Sequence, residues 1–112
     1  MTNIFVGEFG RVIYVETGYN LTSATNVEIH FSAPPGGTSF VNSAAVSVLA
    51  SNITNSACGI VFSAGKTVEY KLNQGDISGS AAAGNWSVHV EADFGPSVHL
   101  ISSSFRFKAA MP

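Results

Sequence analysis

The sequence predicts an all-β domain, a sandwich or a small barrel, on three observations. Apolar and polar residues alternate with a period of two in several separate runs, the pattern of strands with one buried face. Glycine, proline and asparagine interrupt those runs about every ten residues, the turn spacing of sandwiches and barrels. The one helix-like stretch, Ile77 to Ala83, is bracketed by Gly75, Gly79 and Gly84. It is too short to stand alone and predicts at most one helical turn across the end of the sandwich.

Taken in order, Ile4 to Val6 is the first strand and a candidate sheet edge, closed by Gly7 and Gly10 around Glu8-Phe9. Arg11 to Val15 is β-branched and aromatic, which suits a strand buried on both sides or one at a sheet edge. Gly18-Tyr19-Asn20 turns the chain. Val27, Ile29 and Phe31 then alternate with Glu28, His30 and Ser32 until Pro34-Pro35-Gly36-Gly37 stops the strand, because proline cannot donate to a ladder. Val46 and Val48 alternate with Ala45 and Ser47, and Ile60 to Phe62 is a further short strand after the Asn52, Asn55 and Gly59 turns around Cys58. Gly65-Lys66 predicts a tight hairpin into Val68, Tyr70 and Leu72, which alternate with Glu69 and Lys71. After Gly75-Asp76, the run Trp86, Val88, Val90 and Ala92 alternates with Ser87, His89, Glu91 and Asp93. Gly95-Pro96 turns again, and Phe105 and Phe107 alternate with Arg106 and Lys108. Ser104 to Lys108 is the second candidate edge. The total is about seven or eight strands.

Alternation predicts a core of Val12, Tyr14, Val27, Ile29, Phe31, Val46, Val48, Val68, Tyr70, Leu72, Trp86, Val88, Val90, Leu100, Phe105 and Phe107. Trp86, the lone tryptophan, starts a strongly alternating strand and is its expected core anchor.

Composition narrows the function. A chain of 112 residues fits one domain, 1–112. Charged residues are only 11%, the net charge is −2, and there is no basic run. Nucleic-acid affinity needs clustered Lys and Arg, so no nucleic-acid partner is expected. Cys58 has no partner for an internal disulfide. The N-terminus lacks a basic region followed by a long apolar run, and no stretch approaches the roughly 20 apolar residues of a membrane span, so neither a signal peptide nor a membrane partner is expected. The sequons at Asn20, Asn52 and Asn85 are chance matches in a chain rich in Asn and Ser. A surface this poor in charge suits burial against other protein.

No catalytic constellation stands out. Cys58 has no nearby cation or helix start to activate its thiol. The glycine turns form no phosphate-binding motif. Glu91 and Asp93 share a strand face and Glu28 is a possible neighbour, yet no calcium loop surrounds them. His30, His89 and His99 lie on the polar phases of their strands. They would meet, as ligands of a metal-assisted hydrolase, only if those strands pair, which spacing does not show. No catalytic, cofactor or metal residue is therefore assigned, and the expectation is a protein that is not an enzyme.

Three stretches carry a resemblance. Ile4 to Ile13 leads into Glu16 to Thr25. Val27 to Pro34 is a strand ending in a proline-glycine turn. Val68 to Leu72 is followed by Gly75-Asp76-Ile77 and then Ala83-Gly84-Asn85-Trp86-Ser87-Val88. This order resembles small immunoglobulin-like structural domains of tailed bacteriophages, in the style of the N-terminal domain of phage baseplate upper proteins. The segment from about Ser39 to Gly65 departs from it. The resemblance implies an immunoglobulin-like antiparallel β-sandwich located in the virion and working without catalysis, as a part of the tail, baseplate or head–tail adaptor or as a capsid decoration protein. It implies other virion proteins as partners and many copies per particle or a homo-oligomer. The candidate interface residues are Ile4, Phe5, Val6, Phe105, Phe107 and Met111, from the two candidate edges and the apolar tail. The alternative is a carbohydrate-binding β-sandwich module, with Phe9, Tyr19, Phe40 and Phe94 in or near turns as stacking candidates.

Overall fold

A computed structural model describes residues 4–55 and 59–112; Cys58 and the turn expected around it lie outside them. The described residues form an all-β sandwich. Its strands are β1 (Ile4–Phe5), β2 (Val12–Glu16), β3 (Asn26–Ser32), β4 (Phe40–Asn42), β5 (Val46–Val48), β6 (Ile53–Asn55), β7 (Ile60–Phe62), β8 (Thr67–Lys71), β9 (Gly84–Phe94), β10 (Val98–Ile101) and β11 (Phe105–Ala110). A 3-10 turn at Ser80–Ala82 is the single helical element among them, inside the predicted 77–83 stretch.

One sheet has the order β1-β11-β9-β3-β4, with β10 also on β9, and the other has the order β2-β8-β5. The smaller sheet has the B-E-D neighbours, and β3-β9-β11 of the larger sheet the C-F-G neighbours, of an immunoglobulin-like sandwich. Among the described residues, no strand takes the position beside β2 that the A strand of such a sandwich occupies. The first strand pairs instead with β11, in parallel, Ile4 beside Ala109.

Strand β9 is the spine. Its even positions Trp86, Val88, Val90 and Ala92 are all buried, as a two-residue period requires. Along one side it pairs with β3 from Asn26 to Ser32. Along the other its first half pairs with β11 and its second with β10. The break between those partners is filled by Ser102, whose N–H donates to Val90 O and whose hydroxyl accepts the Val90 N–H, at 2.9 and 2.8 Å. Between the sheets, Phe31 stacks on Phe40 with centroids 4.5 Å apart, and Trp86 lies parallel to Phe107 at 6.0 Å.

Several expectations need correction. In β2 the buried residues are Ile13 and Val15, and Val12 and Tyr14 are half-buried. Both phases of Val-Ile-Tyr-Val are apolar, so periodicity did not choose between them; pairing did, by setting Ile13 opposite Tyr70 and Val15 opposite Val68. Val27, Val46, Val48, Leu100 and Phe105 are half-buried, while Ile4, Leu21, Leu49, Ile77, Ala82 and Ala109 join the core. Gly65-Lys66 is a turn but not a hairpin: β7 pairs with β6, and β8 lies between β2 and β5. β1 pairs with β11 only at Ala109 and Ala110, so among the described residues no strand covers the far side of Phe105 to Lys108, and that stretch keeps the open edge expected of it. The strand count exceeds seven or eight because β4, the β6–β7 hairpin and β10 are short elements with weak alternation.

Candidate functional site

The outward positions of the larger sheet bring all three histidines together. Asn26 to Ser32 of β3 runs antiparallel to β9 in a register that sets Glu28 opposite Glu91 and His30 opposite His89. β10 sets His99 opposite Asp93. Directly facing side chains on an antiparallel pair start about 4.5–5.5 Å apart at Cβ, and the two imidazoles of His30 and His89 stack at 4.7 Å with 16° between planes. Glu91 Oε2 lies 2.8 Å from His89 Nε2 and 3.3 Å from His30 Nε2. Glu28 Oε1 stands 3.5 Å from the same His30 nitrogen. His30 Nε2 is buried, and neither carboxylate is aligned to make it a hydrogen bond. A nitrogen, an opposing nitrogen and a carboxylate oxygen thus converge from His30, His89 and Glu91 within 4.8 Å of one another.

His99 closes the cluster from β10. Its Nδ1–H donates to Asp93, and its Nε2–H donates to Glu91 Oε1 at 2.9 Å. A ring that donates from both nitrogens is an imidazolium. Accordingly the Asp93 bond, then the Glu91 bond, raises the His99 pKa above the ordinary 6.5. The His89 hydrogen bond, with His99 second among the favourable contacts, holds Glu91 below the usual carboxylate range. The His99 hydrogen bond does the same for Asp93. The raised His99 value contributes stability that is present below pH 6.5 and lost as the pH climbs through the folded-state value. The lowered carboxylate values contribute stability that is lost as the pH falls through them. The network is therefore strongest in mildly acid solution. In chelator-treated protein, the His99 ring protons followed by NMR are expected to titrate with a midpoint above 6.5; a midpoint at or below that value would contradict the two-carboxylate clamp.

A second feature lies along the open edge of the smaller sheet. In β2, Ile13 and Val15 form the hydrogen-bonded pairs with β8, as the flanking bonds Leu72 N–H to Arg11 O and Thr17 N–H to Lys66 O require. The backbone N–H and C=O of Val12, Tyr14 and Glu16 therefore point away from the sheet. Among the described residues no strand pairs with them. Beside this edge runs an apolar groove of about 730 Å³ lined by Ile4, Val12, Tyr14, Phe62, Phe105 and Phe107. Phe62 of β7 stacks on Tyr14 at 5.1 Å.

The six candidate interface residues divide. Ile4 and Phe107 are core residues, 4% and 3% exposed, because β1 and β11 turn those positions towards the opposite sheet. They and the half-buried Phe105 reach solvent only as walls of the groove. Val6 is half-buried against the core. Phe5 and Met111 are exposed, at 46% and 57%. Trp86 is 1% exposed, a core anchor as expected. Of the stacking candidates, Phe40 and Phe94 pack against the core, while Phe9 and Tyr19 are exposed at opposite ends of β2 and make no shared platform. From its unbroken apolar run β2 was expected to be either buried on both sides or at a sheet edge, and it lies at the edge. Comparisons with protein-family models, with curated proteins and with solved structures found no match to this chain.

Proposed function

We propose that this chain is a non-enzymatic structural protein of a phage virion, and that it assembles through the free edge of β2. The turn order and the low surface charge support the virion part. The observation that carries the mode of assembly is the row of unpaired backbone groups at Val12, Tyr14 and Glu16 beside the apolar groove. A free edge strand is a template for another strand, and main-chain bonds plus adjoining pockets are the ingredients of strand addition.

The occupant is β2 of a second copy, running antiparallel about a twofold axis at Tyr14. In that register Val12 faces the partner's Glu16 and Tyr14 faces its own counterpart. Every outward N–H finds a C=O, and no like charges meet, since Glu16 is the lone charge of the strand. Such an isologous contact closes on itself and leaves the opposite edges, β4 and β5, for the rest of the particle.

Light scattering after size exclusion is expected to give a dimer. Val12→Pro removes an outward N–H and spares the bonds to β8, so it is expected to weaken the dimer at least tenfold while the circular dichroism of the sandwich persists. A wild-type monomer at every concentration, or a dimer indifferent to Val12→Pro, would overturn assembly through β2. Absence of the protein from purified particles would overturn the virion assignment.

A further inference from the structure

We infer that His30, His89 and Glu91 form a binding site for a divalent transition-metal ion of the zinc class on the outer face of the larger sheet. Two imidazoles and one carboxylate are the protein donors of zinc sites that keep a fourth position open. A metal–ligand bond of about 2.0–2.1 Å places neighbouring donors of a tetrahedron roughly 3.3 Å apart. His30 Nε2 and Glu91 Oε2 already stand at 3.3 Å. His89 Nε2 lies closer to the same oxygen, at 2.8 Å, because it hydrogen-bonds to it. Its ring needs to withdraw by about half an ångström to share an ion with the carboxylate.

The independent observation is the His30 nitrogen. It is buried, carries no aligned hydrogen bond, and faces two carboxylates at 3.3 and 3.5 Å. Buried polar atoms without a partner are uncommon in native structures and call for an explanation such as an ion. In the tautomer whose lone pair is on Nε2 this nitrogen faces the two carboxylates unfavourably, and a cation between them converts that arrangement into coordination. The carboxylates of Glu28 and Glu91 flank the position and complement a doubly charged ion. A harder ion such as magnesium or calcium favours an all-oxygen shell, whereas imidazole donors select zinc and its neighbours.

The outer contacts fit the same purpose. Glu91 offers Oε2 to the histidines while its Oε1 is held by His99, which Asp93 fixes from its other side. A ligating carboxylate is commonly oriented by such a partner, so His99 is a positioning residue and not a ligand. Each of the three proposed ligands keeps about a fifth of its side-chain surface exposed. The ion has an entry path, and its fourth position is open to water or to a donor from a neighbour. The site links β3 to β9, on the opposite sheet from the β2 edge.

The test uses the untagged whole chain, freed of metal by a chelator and titrated calorimetrically with zinc chloride. One zinc per chain is expected, with a rise in melting temperature and, with cobalt(II), the intense visible absorption of a four-coordinate ion. His89→Ala and the near-isosteric Glu91→Gln are each expected to weaken zinc at least about a hundredfold, and His99→Ala about 10–100-fold. Val12→Pro should leave zinc binding unchanged, so failure of the assembly proposal and failure of the metal site are separable. Absence of saturable zinc binding, or equal binding by wild type, His89→Ala and Glu91→Gln, would overturn the site. Glu91→Gln keeps the test decisive should an alanine variant fail to fold.

Discussion

Trp86→Ala is expected to lower the stability of the domain by about 3–5 kcal/mol. Trp86 is 1% exposed and lies parallel to Phe107 with centroids 6.0 Å apart, while the edges of Phe31 and Phe40 meet it at 6.4 and 6.1 Å. Its Nε1–H donates to Ala82 O at 2.8 Å, which ties the 3-10 turn onto the core. Alanine removes the largest buried side chain and leaves that carbonyl without its donor. The loss is a large share of the roughly 5–15 kcal/mol that holds a typical domain together. Urea unfolding followed by circular dichroism measures it, since the variant has no tryptophan to report by fluorescence. Trp86→Phe keeps much of the packing and forfeits the hydrogen bond, so it should fall between the two. A loss below about 1 kcal/mol for Trp86→Ala would contradict the anchoring role.

Gly84→Ala should be nearly as damaging although it adds a single methyl group. Gly84 has φ +136°, a conformation that side chains rarely adopt, and a Cβ there would sit 3.0 Å from Pro34 Cβ and 3.3 Å from its Cγ. The backbone strain costs about 1–3 kcal/mol. The proline ring has no rotamer to escape into, and the overpacking adds a further cost of about 1–3 kcal/mol. Gly7→Ala separates the two contributions: Gly7 also has positive φ, +89°, but nothing lies within 4 Å of its missing Cβ. Chemical denaturation of both variants is expected to rank Gly84→Ala clearly below Gly7→Ala. Equal losses would mean that Pro34 yields.

The fold class was legible because β3, β8 and β9 alternate cleanly, and alternation reports burial of one face. The phase of β2 was not, because Val12, Ile13, Tyr14 and Val15 are apolar on both faces and the deciding contact is with β8, far away in sequence. The histidine cluster shows the same boundary. Residue type and strand phase placed His30, His89 and His99 on polar faces. Whether they meet depends on which strands are neighbours and on a register in which a shift of one residue would turn the set to the other face. That information is non-local, and it emerges only when β3 and β10 settle on opposite sides of β9. The apolar run of β2 left a sheet edge and burial on both sides as alternatives, and the choice between them was a property of the assembled sheet, not of the run itself.

The parallel pairing of β1 with β11 governs how the domain bears mechanical load. Ile4 lies beside Ala109 and Phe5 beside Ala110, so tension applied at those two ends runs along the strands and shears the bonds between them. The overlap is two residues long, extended by the Val6 N–H bond to Ala110 O at 2.9 Å. Once those few bonds slip, β11 remains held by five paired positions on β9. Under force the first event is therefore release of β1, which draws Ile4 out of the core while β11 stays paired with β9. Such a domain yields first at β1, with stiffness in the sheets beyond it.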